Sequence, residues 1–97
     1  MSIPANIRNF ITTQLDYYIE EIDTYLLVAK EHCGTESLDD AAYGVVLGCV
    51  YMGFINAYSA QSLSPNVDSI TELHGIIKER AKDIRLSIRG SRQRCQA

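Results

Sequence analysis

The sequence has no tryptophan, two prolines, two histidines and three cysteines in 97 residues. Each scarcity closes off a class of protein. Cys33, Cys49 and Cys95 are odd in number and irregular in spacing, so no disulfide framework is indicated. Cys49, in the most apolar part of the chain, reads as a small hydrophobe. His32, Cys33, His74 and Cys95 have neither the C-x-x-C nor the H-x-x-x-H spacing of a zinc site. A Cys33 nucleophile served by His32 or His74 lacks a third, orienting group. There is no glycine-rich phosphate loop and no helix-turn-helix pattern. Met1-Ser2-Ile3-Pro4 supplies neither a basic nor an apolar leader region, which predicts a cytoplasmic protein without a signal peptide. No repeat, low-complexity tract or linker divides the chain. Residues 1–90 read as one helical domain and 91–97 as a short basic tail.

The longest absence is of charge. Residues 41–60, AAYGVVLGCVYMGFINAYSA, contain no charged side chain. That length is near the roughly 20 apolar residues of a membrane span. Asn56, Ser59, three tyrosines and three glycines argue against one, and no Lys or Arg anchors either end. The stretch therefore predicts a central helix buried on nearly all sides. Two ridges run along it at helical spacing. One carries Ala41, Gly44, Gly48, Met52 and Ile55, where the Gly44-x-x-x-Gly48 pair admits a close helix neighbour. The other carries Tyr43, Leu47, Tyr51, Phe54 and Tyr58, suited to an interface or pocket wall. Gly44, Gly48, Tyr51 and Met52 are expected in the core or at a subunit contact.

The remaining pattern is helical throughout. Pro4 suits a helix start. Ile7, Ile11, Leu15, Tyr18, Ile22, Tyr25 or Leu26, and Ala29 make an apolar stripe through residues 4–31. Gly34 can take the left-handed conformation that closes this helix. Ser37 is expected to cap a second helix over 38–61, with Asp39 and Asp40 on its first turn. Residues 62–66, SLSPN, form a turn. A third helix over about 65–89 starts at Ser64-Pro65 or at Asp68-Ser69, with Ser69 and Glu72 as a possible capping box. Its stripe is Ile70, Leu73, Ile77, Ala81, Ile84 and Ile88. The expected fold is all-α: a three-helix, up-down-up unit around an apolar central helix. A core of this size is thin. Dimerisation into a larger helical bundle would cover the central helix.

Charge is lopsided. Residues 1–77 hold two basic and ten acidic side chains, and 78–97 hold seven basic and two acidic. In an up-down-up unit the first and third helices are parallel, so the acidic part of one faces the basic part of the other. Three chemistries remain open. Asp16, Glu20 and Asp23 share one helix face, Glu36, Asp39 and Asp40 cluster at the next helix start, and facing carboxylates can hold Mg²⁺. The paired E-x-x-D spacing, Glu20–Asp23 and Glu36–Asp39, loosely resembles the metal motif of all-α nucleotide pyrophosphohydrolases. That family places both pairs inside packed helices, whereas Glu36 and Asp39 sit at a helix start. The resemblance implies a divalent-metal phosphohydrolase using Asp16, Glu20, Asp23 and Asp39. A second chemistry is nucleic-acid binding through Lys78, Lys82, Arg85, Arg89, Arg92 and Arg94, although Glu79 and Asp83 interrupt this row and no aromatic is interleaved. The third, and preferred, is a non-catalytic protein-interaction module of the adaptor, antitoxin or immunity kind. It needs no cofactor, acts as a homodimer and contacts an unidentified protein partner. The ending Arg94-Cys95-Gln96-Ala97 resembles the tails of proteins encoded by mobile integron gene cassettes, which implies an accessory bacterial protein but no fold or activity.

Overall fold

Pro4 opens the first helix, its carbonyl accepting the Arg8 N–H at 2.9 Å. The computed structural model describes residues 3–95 and contains four helices: α1 (Ala5–Glu20), α2 (Ile22–His32), α3 (Leu38–Ala60) and α4 (Val67–Cys95). The described residues contain no strand, so the protein is all-helical. Gln96 and Ala97, part of the gene-cassette resemblance, lie outside the described residues.

The single first helix expected from the sequence is broken at Glu21, where φ is −98° and ψ is 29°. Neither proline nor glycine marks the break, and the apolar stripe keeps its phase across it. Ile7, Ile11, Leu15, Tyr18, Ile22, Leu26 and Ala29 are all buried. The break leaves carbonyls at the end of α1 without helical partners. The Ser87 hydroxyl of α4 donates to one of them, the Ile19 carbonyl, at 2.7 Å. The Ser91 hydroxyl donates to Asp23 just beyond the break. Both anchors come from a distant segment, which is why local pattern does not reveal the break. α2 ends as anticipated, with Gly34 at φ +55°.

The caps of α3 and α4 differ from expectation. The Ser37 hydroxyl makes no cap bond to the backbone and instead donates to Asp40 Oδ2 at 2.8 Å. α4 is capped by Asn66, not by a Ser69–Glu72 box. Asn66 Oδ1 accepts the Ser69 N–H at 2.8 Å, and Ser69 Oγ accepts the Asn66 N–H at 2.7 Å. This satisfies two otherwise orphaned donors reciprocally. Glu72 is engaged elsewhere, by the Ile3 N–H and the Arg8 guanidinium. At the end of α3 the Leu63 N–H reaches the Tyr58 carbonyl and the Ser62 N–H the Ser59 carbonyl, each at 2.9 Å. That pattern needs a left-handed residue, supplied here by Ser62 at φ 56° rather than by glycine.

α4 has 29 residues, about 43 Å of helix, and so runs nearly the full 45 Å length of the molecule. It meets α1 and α2 in rising order: Arg80 with Asp16, Ser87 with Ile19, then Ser91 and Arg94 with Asp23. It meets α3 in falling order: His74 with Tyr51, Arg85 with Tyr43 and Asp40, and Arg92 with Asp39. The core between them takes Leu73, Ile77, Ile84 and Ile88 from α4. Ile70, expected in that stripe, is exposed.

α3 contributes Ala42, Val46, Val50, Phe54 and Tyr58 to the core, a ridge of four-residue steps. Tyr58 is 4% exposed, and its hydroxyl has no hydrogen-bond partner among the described residues. An unpaired buried hydroxyl costs stability. Tyr58→Phe should therefore raise the unfolding free energy by about 1 kcal/mol. A chemical denaturation midpoint that falls instead would show that the hydroxyl is satisfied.

Candidate interaction surface

The glycine ridge does not enter the core. Gly44, Gly48, Met52 and Ile55 lie on the outer face of α3, with Met52 60% and Ile55 42% exposed. A Cβ placed on Gly44 or Gly48 meets nothing within 4 Å. The core half of the expectation for these residues is thus overturned. The buried ridge is instead Ala42, Val46, Val50, Phe54 and Tyr58. Periodicity alone could not choose between them, because α3 is apolar on every side. The glycine that does meet another helix closely is Gly53, where a Cβ would run into the Gln14 carboxamide of α1. Its isolated position made it silent in the sequence.

The tyrosine ridge divides. Phe54 and Tyr58 are buried, their rings edge to face at 5.0 Å. Tyr43, Leu47 and Tyr51 are half-buried along the shoulder facing α4. The Arg85 guanidinium lies 4.1 Å from the centre of the Tyr43 ring, a cation–π contact. Tyr51 meets the His74 ring edge to face at 5.8 Å. Between α3 and α4 these side chains line an open groove of about 160 Å³ with Leu47, Ile77 and Lys78. On the other side of α3, Phe10, Asn56, Ala57 and Ala60 line an uncharged groove of about 340 Å³ against α1. The outer face of α3 is therefore an uncharged crest between two grooves. α3 is long and apolar enough to cross a membrane, with 28% of its apolar window buried, a property that the core helix of a soluble protein can share.

The acidic candidates are not brought together. Asp16 pairs with Arg80 at 2.8 Å, Asp23 with Arg94 at 3.0 Å, and Asp39 with Arg92 at 2.9 Å. Glu20 is exposed on α1. Among the described residues no three His, Cys, Asp or Glu side chains converge as a metal ion would require. Ion pairs likewise engage half of the basic candidates, since Arg85 holds Asp40 at 3.1 Å while Arg92 and Arg94 hold Asp39 and Asp23. Lys78, Lys82 and Arg89 are exposed and have no acidic partner among the described residues. No family model, curated protein or solved structure matches this chain.

Hydrogen bonds to Ser91 and Arg94 hold the Asp23 carboxyl below its ordinary range, and bonds to Ser37 and Arg85 do the same for Asp40. A carboxylate depressed in the folded state adds stability above its unfolded pKa, and that contribution disappears as pH falls through the folded value. Stability should thus be flat near neutrality and decline below about pH 5, where free aspartate begins to protonate. Urea midpoints across pH 6 to 2 check this. The decline should be shallower in an Asp23→Asn, Asp40→Asn double variant, and an equal slope would sever the two pairs from acid unfolding.

Proposed function

We propose that this protein is a small cytoplasmic, non-catalytic protein-interaction module of the adaptor, antitoxin or immunity kind, and that it acts as a homodimer. α1 and α2 serve as one bent rod in an up-down-up unit, and the outer face of α3 is its working surface. One observation carries the proposal: the crest of Gly44, Gly48, Met52 and Ile55 is exposed on a helix that carries no charge from residue 41 to 60. Glycine costs a helix interior about 1 kcal/mol relative to alanine, and neither Gly44 nor Gly48 has a neighbour in its own protomer to offset that. A second helix lying on the crest supplies the offset, because the missing side chains let its backbone approach. Engagement of Asp16, Asp23 and Asp39 by arginines favours this reading over the phosphohydrolase.

Sedimentation or light scattering tests the reading directly. The wild-type protein should have twice the mass of its chain, and Met52→Glu, placing a carboxylate on the crest, should reduce it to one. A monomeric wild type at high concentration, or a dimer indifferent to Met52→Glu, would remove the crest from any subunit contact.

A further inference from the structure

We infer that the groove between α3 and α4 receives an acidic amphipathic helix from a protein partner, in exchange for the second copy of the chain. The inference rests on the reading of the α3 crest as the working surface and gives that surface a partner. Its two walls differ in character. The α3 wall is uncharged from residue 41 to 60 and carries the Gly44 and Gly48 notch. The α4 wall presents Lys78, Lys82 and Arg89, at steps of four and seven residues, on one helical face. The floor is Leu47, Tyr51 and Ile77 at one end. Further along α4 a separate, smaller pocket of about 40 Å³ is lined by Arg85, Ile88 and Arg89 with Asp39, and Arg85 crosses there to the Tyr43 ring and to Asp40. From His74 to Arg89 α4 measures about 22 Å, four turns of helix, the length over which a docked helix would lie on both openings.

The charge on α4 is not uniform. Its arginines on the shoulders, Arg80, Arg85, Arg92 and Arg94, all have aspartate partners. Among the described residues the α4 cations without one are Lys78, Lys82 and Arg89, and Lys78 lines the groove itself. A second copy offers its α3 to the crest, and α3 has no charge there with which to answer them. A helix with an apolar stripe and glutamates or aspartates along one edge answers both walls together. Its backbone fits the glycine notch, its stripe covers Leu47 and Tyr51, and its acidic edge meets the lysines. Such a helix and a second copy both need Gly44 and Gly48, so the two exclude each other. Nucleic acid would use the cations but would leave the notch and the apolar crest uncovered.

The test uses two labelled synthetic peptides of about 16 residues, enough to span the groove. Both carry the same leucine stripe, flanked by glutamate in one and by lysine in the other. Fluorescence anisotropy against the full-length protein should show the glutamate peptide binding about tenfold tighter, the sum of three exposed ion pairs. Its binding should lower the mass of the homodimer to one chain plus one peptide. The Lys78→Glu, Lys82→Glu double variant, on exposed positions, should invert the preference. Gly48→Leu should weaken both peptides alike. Equal affinity for the two peptides, or a preference unchanged by the double variant, would overturn the inference. So would an oligothymidylate that binds more tightly than the glutamate peptide. A homodimer that ignores both peptides also defeats it while leaving the dimer intact, whereas a monomer that prefers the glutamate peptide supports the groove and defeats the dimer.

Discussion

Gly48→Leu should leave the protomer at least as stable as before and abolish its dimer. The two effects have opposite origins. Within one chain a Cβ at position 48 meets no atom within 4 Å, so the new side chain displaces nothing. Leucine is also the better helix former, by about 0.8 kcal/mol. In the proposed dimer the same side chain would fill the notch that permits close approach, and the two helices would have to separate. Overfilling a packed contact costs roughly 1–3 kcal/mol in each copy. Over a two-fold interface that weakens association by two or more orders of magnitude. Mass by light scattering and unfolding at low protein concentration read the two effects separately. A dimer of unchanged affinity would mean that association, if present, uses another surface. A protomer that melts far earlier would mean that position 48 is packed after all.

Phe54→Ala should have the largest effect on folding itself. Phe54 is 1% exposed on the buried ridge of α3, with the Tyr58 ring against its own. Truncating a buried phenylalanine costs about 3–5 kcal/mol, partly through the cavity it leaves. A domain of this size has about 5–15 kcal/mol in all. The melting temperature should fall by roughly 15–30 °C. Met52→Ala, on the opposite face of the same helix, should change protomer stability by less than about 0.5 kcal/mol. Comparable losses at both positions would show that the buried ridge has been assigned to the wrong side.

The contrast between these two faces marks the limit of what the residues declare on their own. α1, α2 and α4 are amphipathic, and their stripes place Ile7, Leu15, Ile22, Leu73 and Ile88 in the core, where the structure has them, while leaving Tyr25 and Leu26 as alternatives of which Leu26 is the buried one. α3 is apolar all round, so its period located a helix but not an inside. The Gly44-x-x-x-Gly48 spacing predicts a close helix approach, in the core or at a subunit contact, without choosing between them. The approach within the chain is made instead by Gly53 against Gln14. The break at Glu21 was invisible for a different reason: its anchors, Ser87 and Ser91, come from near the other end of the chain. The charge asymmetry, read as pairing between the first and last helices, is met by Asp16 with Arg80 and Asp23 with Arg94, while Arg85 and Arg92 turn instead to Asp40 and Asp39 at the start of α3.

The same pairing has a consequence for the order in which the protein matures on the ribosome. Asp16 waits for Arg80, 64 residues later, and Asp23 for Arg94, 71 residues later. Until the final helix leaves the exit tunnel, α1 and α2 pack on α3 alone, and the uncharged helix has emerged with the flank that α4 covers still bare. Contacts this remote along the chain slow folding and lengthen exposure to aggregation. Nascent chains truncated before Arg80 should need a chaperone or precipitate, while chains released past Arg94 should not.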